Sequence, residues 1–138
     1  MTRFVLDASV ALRWFLDKPV PPSATAIKRL LLGGAQALVP ALWHLEMANA
    51  FVVAERRRIL GAPEFGRALR DVELLLSHAI STDPAISSVR QASETARQFG
   101  LSAYDASYLN LARREALPLA TLEGPLRTAA KQAGVDIL

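Results

Sequence analysis

Residues 4–9, Phe4-Val5-Leu6-Asp7-Ala8-Ser9, decide the fold of this chain. The apolar run Phe4-Val5-Leu6 predicts a short buried strand, and Asp7 follows it directly. Apolar residues at helical spacing then predict a helix over 8–15. A short apolar strand followed at once by a helix is typical of a parallel sheet with helices on both faces.

The rest of the chain repeats this alternation. Further strands are predicted at 37–39, 79–81, 117–120 and 135–138, and further helices at about 23–32, 40–58, 64–77, 86–99, 103–115 and 125–133. The pattern predicts an α/β fold, a three-layer sandwich whose mostly parallel central sheet has about four to five short strands and helices on both faces. Neither repeats nor linker-like segments occur, so residues 1–138 are predicted to form a single domain.

The composition excludes several classes of site. The chain has no cysteine, which excludes thiolate metal sites and a cysteine nucleophile, and its two histidines do not favour a histidine-rich zinc site. A formal net charge of +3 permits a polyanionic partner without requiring one. The N-terminal residues lack the features of a signal peptide, and no apolar segment is long enough to span a bilayer, so we expect a cytoplasmic protein without a membrane partner.

Acidic residues from distant segments are predicted to meet at one edge of the sheet. In an open parallel sheet, ligands bind beyond the carboxyl ends of the strands. Asp7 ends the first strand and Glu123 follows the strand at 117–120, while Glu46 and Asp105 lie near the starts of helices that begin at the same edge. Asp7, Glu46, Asp105 and Glu123 are therefore the candidate catalytic residues.

Each acid also has a structural interpretation. Asp7 could cap the following helix, Ser102 to Asp105 matches a capping box, and Glu123 could favour a helix dipole. Glu46 differs, because its helix is so apolar that we expect it to be buried nearly all round. A buried carboxylate is costly unless it is paired or binds a metal, so a salt bridge and a metal site both remain open for Glu46.

Clustered carboxylates point to a divalent cation. Like charges raise each other's pKa, so such a cluster does not stay ionised by itself. Oxygen ligands favour Mg²⁺, with Mn²⁺ as a substitute, and one or two such ions can promote in-line displacement at phosphorus. The acids thus indicate phosphodiester hydrolysis. A phosphatase of the haloacid dehalogenase type is excluded, because it needs a second acid at the position that Ser9 occupies.

The sequence resembles the PIN-domain ribonucleases, specifically the VapC-type toxins of prokaryotic type II toxin–antitoxin pairs. The resemblance lies in Phe4-Val5-Leu6-Asp7-Ala8-Ser9, in Pro40-Ala41-Leu42-Trp43-His44-Leu45-Glu46-Met47-Ala48-Asn49, and in Leu101-Ser102-Ala103-Tyr104-Asp105-Ala106-Ser107-Tyr108-Leu109. It covers essentially the whole chain, because the order of strands, helices and acids also agrees. The resemblance implies a PIN-like fold, a Mg²⁺- or Mn²⁺-dependent endoribonuclease that cleaves RNA, a homodimer, and inhibition by a cognate antitoxin.

The resemblance also assigns roles to single residues. Asp7, Glu46 and Asp105 match the main acids and expected metal ligands of the family, and Ser9, Asn49 and Thr121 match polar residues that often support them. One position departs from the family pattern, because the fourth acid is usually Asp and Glu123 stands here. The extra methylene moves the carboxylate by about 1.5 Å.

Some residues keep two interpretations. Arg56, Arg57 and Arg58 could be a solvated helix end or could contact RNA phosphates. Tyr104 and Tyr108 are at helical spacing among apolar neighbours, which favours core positions over base stacking. The apolar helix from Trp43 to Val53 could pack in the core or against a second copy or an antitoxin. The alternative function is a non-catalytic PIN-like module that binds RNA or protein.

Overall fold

The computed structural model describes residues 2–138, which form an α/β fold. Within that range the strands are β1 (Arg3–Leu6), β2 (Gln36–Val39), β3 (Ile80–Thr82) and β4 (Leu119–Ala120). The helices of the same range are α1 (Ala8–Leu16), α2 (Pro22–Leu32), α3 (Leu42–Arg56), α4 (Ala62–His78), α5 (Val89–Phe99), α6 (Ala103–Glu115) and α7 (Gly124–Gln132).

The sheet of residues 2–138 has four parallel strands in the order β3-β2-β1-β4. The chain moves from β1 through β2 to β3 and then crosses back to place β4 on the other side of β1. Since parallel strands are joined by right-handed crossovers, α1–α4 cover one face and α5–α6 the other. The helix contacts agree, because α1 packs on α2 and α3, and α6 packs on α5 and α7. The strand order reverses between β1 and β4, which is where ligands bind in such sheets.

The core explains why the first residues predict the fold. Phe4, Val5 and Leu6 of the central strand are fully buried, because helices cover both faces of the sheet. Helix α6 contacts β1 and buries Leu109 and Leu111, and Trp14 of α1 donates its indole N–H to the carbonyl oxygen of Ala24 at 2.8 Å. The predicted α/β class and the parallel sheet are confirmed.

Some predicted element boundaries are wrong. The segment 135–138 does not form a full strand but a single parallel bridge from Ile137 to Leu119. Helix α5 begins at Val89 rather than near residue 86, because Ser88 acts as its N-cap and accepts a hydrogen bond from the backbone N–H of Gln91. Helix α3 begins at Leu42, two residues after Pro40. In residues 2–138 no helix is long and apolar enough to cross a membrane.

The expectation that α3 is buried nearly all round is also wrong. Its buried residues, Trp43, Met47, Phe51 and Ala54, form one stripe that faces the protein, whereas Leu45 on the opposite side is 75% exposed. A helix on the surface of a sheet buries one stripe, so apolar residues off that stripe remain in solvent.

Tyr104 is not a core residue. It is 66% exposed, because it lies in the first turn of α6 at the rim of the protein. Tyr108, one turn further into the same helix, is fully buried as predicted.

Candidate active site

Asp7 is the most deeply buried acid at the carboxyl edge of the sheet, with 3% of its surface exposed. It lies between β1 and α1, and its backbone N–H donates to the carbonyl oxygen of Ala120 at 3.0 Å. That bond attaches the end of β1 to the end of β4. Asp7 occupies the N-cap position of α1, but its side chain forms no capping hydrogen bond. Its carboxylate instead accepts hydrogen bonds from side-chain hydroxyl groups.

The Asp7 carboxylate is held by two hydroxyl groups that converge on one oxygen. Ser9 Oγ donates to Asp7 Oδ2 at 2.6 Å, and Thr121 Oγ1 donates to the same atom at 2.7 Å. Each hydroxyl also accepts a backbone N–H, from Leu122 at 3.1 Å and from Glu123 at 3.1 Å respectively. These bonds fix the carboxylate and join the β1–α1 and β4–α7 junctions, while Asp7 Oδ1 is engaged by neither hydroxyl.

Glu46 extends from the second turn of α3 and is half-buried. Its Oε1 accepts a hydrogen bond from the hydroxyl of Tyr108 at 2.5 Å. Tyr108 belongs to α6, on the opposite face of the sheet, so this bond passes across the end of the sheet. Among the salt bridges of residues 2–138, none involves Glu46, so an ion pair does not account for its burial.

Asp105 lies in the first turn of α6 and is half-buried. Half of the predicted capping box is present, because the backbone N–H of Asp105 donates to Ser102 Oγ at 3.0 Å, whereas the described residues show no return bond from the Ser102 N–H to the Asp105 carboxylate. That bond uses the backbone of Asp105 and leaves its carboxylate for other contacts.

Glu123 is the most exposed of the acids and is the N-cap residue of α7, without a side-chain capping bond. Its backbone is fixed through the N–H bond to Thr121, whereas its side chain extends at the rim of the site.

These acids line one open cavity of about 260 Å³. Its lining consists of Asp7, Ala8, Ser9, Leu12, Glu46, Asn49, Ala50, Asp105 and Glu123. No lysine or arginine is part of that lining among residues 2–138, and the donor set consists of oxygen atoms and one amide. In the same part of the chain, no three Asp, Glu or His side chains are already close enough to hold an ion. The oxygen donors of the cavity lining are of the kind that hard divalent cations prefer.

The pKa values of the acids reflect burial and mutual repulsion. Burial raises the pKa of Asp7, against the lowering effect of its bonds to Ser9 and Thr121. Burial likewise raises the pKa of Glu46, against the Tyr108 hydrogen bond, and raises that of Asp105. The negative charge of Glu123 raises all of these pKa values further. The cluster carries repulsion that a cation would relieve.

Tyr108 is the site residue that sequence reasoning placed only in the core. Burial raises the pKa of its hydroxyl, and the charges of Asp7 and Glu46 add to this effect, so the group remains a hydrogen-bond donor. Tyr108 lies three residues after Asp105, which puts both side chains on one face of α6. This spacing is the sequence feature that could have placed Tyr108 in the site.

Arg127 is a second residue near the site that sequence reasoning missed. Its guanidinium donates to the carbonyl oxygen of Thr121 at 2.9 Å and supports the turn after β4.

Arg56, Arg57 and Arg58 lie away from the cavity. They are exposed at the end of α3, and Arg56 is ten residues beyond Glu46, which corresponds to about 15 Å along the helix axis. The structure therefore does not bring these arginines together with the acids.

Three solved structures are similar to this chain over nearly its full length. PAE2754 from Pyrobaculum aerophilum has 24% sequence identity and a TM-score of 0.66, covering 93% of this chain and 79% of that one. FitAcB from Neisseria gonorrhoeae has 18% identity and a TM-score of 0.64, with 98% and 96% covered. VapBC2 from Rickettsia felis, bound to a DNA fragment from its promoter, has 14% identity and a TM-score of 0.62, with 99% and 98% covered. No protein-family model matches the sequence, and no curated protein is similar to it.

The similarity to these structures establishes the fold. The chain has a PIN-like fold, as the sequence resemblance implied.

Proposed function

We propose that this protein is a Mg²⁺- or Mn²⁺-dependent endoribonuclease and the toxin of a toxin–antitoxin pair. The observation that carries the proposal is the cavity at the switch point of the sheet, where Asp7, Glu46, Asp105 and Glu123 meet without a lysine or arginine in the described lining. Half-buried and buried carboxylates without a cationic side chain are typical of oxygen-ligand metal sites. The PIN-like fold supports the same interpretation.

The proposed metal ligands are Asp7, Glu46 and Asp105, with Glu123 as a weaker fourth. A bound Mg²⁺ or Mn²⁺ would supply activation of the attacking water and stabilisation of charge on the phosphate. Asp7 contributes a carboxylate held in one orientation by Ser9 and Thr121, which lowers the cost of ordering the site. The shallow, open cavity admits a polymer backbone rather than enclosing a small molecule.

Two protein partners are part of the proposal, a second copy of the chain and a cognate antitoxin. Large apolar side chains that are exposed among the described residues support apolar contacts; they include Leu32, Leu45, Leu74, Ile86 and Val89. Asn49 lines the cavity beside Glu46 and is a candidate supporting residue for substrate or metal.

Cleavage of RNA by the purified protein tests this function. Wild-type protein should cut a fluorescent RNA with Mn²⁺ and not with EDTA. Asp7→Asn and Asp105→Asn should each abolish cleavage and keep the fold, because Asn has nearly the same shape without the charge. Asp136→Asn is the matched control, since Asp136 is exposed and is not part of the cavity lining, and it should cut at the wild-type rate.

The same experiment separates the alternative function. Binding of RNA without any metal-dependent cleavage would indicate a non-catalytic PIN-like module and would overturn the nuclease proposal. Cleavage that survives in Asp7→Asn would show that the site is assigned wrongly.

A further inference from the structure

The hydroxyl of Tyr108 connects two acid-bearing helices. It donates to Oε1 of Glu46 at 2.5 Å, which joins α6 to α3. Asp105 lies one turn before Tyr108 on α6. A single buried hydroxyl therefore joins the helix that carries Asp105 to the helix that carries Glu46.

The hydrogen bond from Tyr108 restricts the side chain of Glu46, which is longer than those of Asp7 and Asp105. Glu46 reaches the cavity through several rotatable bonds. If these bonds rotated freely, ordering the carboxylate around a ligand would cost conformational entropy. The bond from Tyr108 orders one carboxylate oxygen and leaves Oε2 outside that bond. Tyr108 itself is fully buried, so its own rotamer is fixed by packing.

The alternative interpretation is that Tyr108 only fills the core, since a core tyrosine also has a buried ring and a hydrogen-bonded hydroxyl. The two interpretations differ in what the hydroxyl does. If the tyrosine only fills the core, a phenylalanine preserves the packing and changes stability alone. If the hydroxyl orients Glu46, the same substitution weakens whatever Glu46 binds.

We propose that Tyr108 is a positioning residue for the metal site, holding Glu46 so that its carboxylate faces the ion together with Asp7 and Asp105. The inference rests on the proposed function, because it assumes that the cavity binds a divalent cation. Groups that orient metal ligands typically change metal affinity by about 10- to 100-fold when they are removed.

The test uses Tyr108→Phe in the full chain, with Mn²⁺ affinity measured by calorimetry. The dissociation constant should rise about tenfold. RNA cleavage should fall at limiting Mn²⁺ and recover towards the wild-type rate at saturating Mn²⁺. The matched control is Tyr104→Phe, which makes the same change in the same helix at a position that is 66% exposed, and its Mn²⁺ affinity should equal that of the wild type.

A double substitution shows whether Tyr108 acts through Glu46. Glu46→Asp keeps the charge but withdraws the carboxylate from Tyr108. Adding Tyr108→Phe to Glu46→Asp should then weaken Mn²⁺ binding no further, because the contact is already lost. Fully additive losses would show that Tyr108 acts independently of Glu46 and would overturn the inference.

A measurement on folded protein covers the case in which Tyr108→Phe fails to fold. Only two tyrosines occur in the sequence, so fluorotyrosine labelling gives one fluorine resonance for each. The Tyr108 resonance should move in Glu46→Asp while the Tyr104 resonance stays, and an unmoved Tyr108 resonance would refute the hydrogen bond. If Tyr108→Phe binds Mn²⁺ like the wild type, this inference fails alone. If the wild type does not bind Mn²⁺, the proposed function fails with it.

Discussion

Replacing Thr121 by Val tests the support of the Asp7 carboxylate. Valine has nearly the same shape as threonine but lacks the hydroxyl, and Thr121 is 2% exposed, so water cannot replace the lost group. Two bonds disappear, the one donated to Asp7 Oδ2 and the one accepted from the Glu123 N–H. Ser9 still donates to the same Asp7 oxygen.

The expected loss follows from these bonds. A hydrogen bond to a charged group contributes about 1.5–3 kcal/mol, and the remaining Ser9 bond keeps the loss in the lower part of that range, at about 2 kcal/mol. For a chain of 138 residues, the unfolding entropy is about 0.3 kcal/mol/K. Thr121→Val should therefore lower Tm by about 7 °C.

The assay is thermal and urea unfolding with EDTA present, so that metal binding does not contribute. Thr128→Val is the matched control, because Thr128 is exposed on α7, and it should change stability by less than about 0.5 kcal/mol. The difference between the two variants should shrink at low pH, where Asp7 becomes protonated and its bond to Thr121 loses the charge. Equal stability of Thr121→Val and Thr128→Val at neutral pH would refute the hydrogen-bonded support of Asp7.

Further predictions concern metal, pH, RNA and self-association. Mn²⁺ at one hundred times its dissociation constant should stabilise the protein by about 2.7 kcal/mol over EDTA in chemical unfolding; coincident curves would contradict this. The pKa values of Asp7, Glu46 and Asp105 are raised in the folded state, so the folded state binds protons more tightly than the unfolded state. The EDTA-treated protein should therefore gain stability as the pH falls from neutrality through those pKa values. A loss of stability over that pH range would contradict the repulsion among the acids. Replacing residues 56–58 by alanine should reduce RNA affinity and its salt dependence if they contact phosphates; an unchanged salt slope would leave them as a solvated helix end. Self-association in sedimentation should persist at high salt, because apolar contacts are not screened, and dissociation by salt would indicate ion pairs instead.

Most of the fold could be predicted, because a parallel sheet covered on both faces leaves short apolar runs in the sequence. Phe4-Val5-Leu6 and the strands β2 and β4 are such runs. Asp7 and Glu123 follow strand ends, and Glu46 and Asp105 lie near the starts of helices at the same edge. The segment 135–138 is equally apolar but forms only one bridge, because strand pairing depends on a neighbour that the local pattern does not specify.

The contacts within the site could be predicted less well. The sequence predicted that Asp7 and Asp105 lie at one edge of the sheet, because this placement depends only on the order of strands and helices. The bond from Tyr108 to Glu46 joins residues 62 apart in sequence, and no local pattern encodes it. The exposure of Leu45 was missed for a related reason, because the composition of a helix does not show which of its sides faces the sheet.

The central claim is that the carboxylate cavity binds the divalent cation on which RNA cleavage depends. Crystals grown with Mn²⁺ and measured at the manganese absorption edge locate the ion directly by anomalous scattering. The account predicts an anomalous peak within the cavity, in contact with carboxylate oxygens of Asp7 and Asp105 and adjacent to Glu46, and no such peak in crystals of Asp7→Asn. A cavity without a peak in wild-type crystals at saturating Mn²⁺, or a peak only elsewhere on the protein, would contradict it.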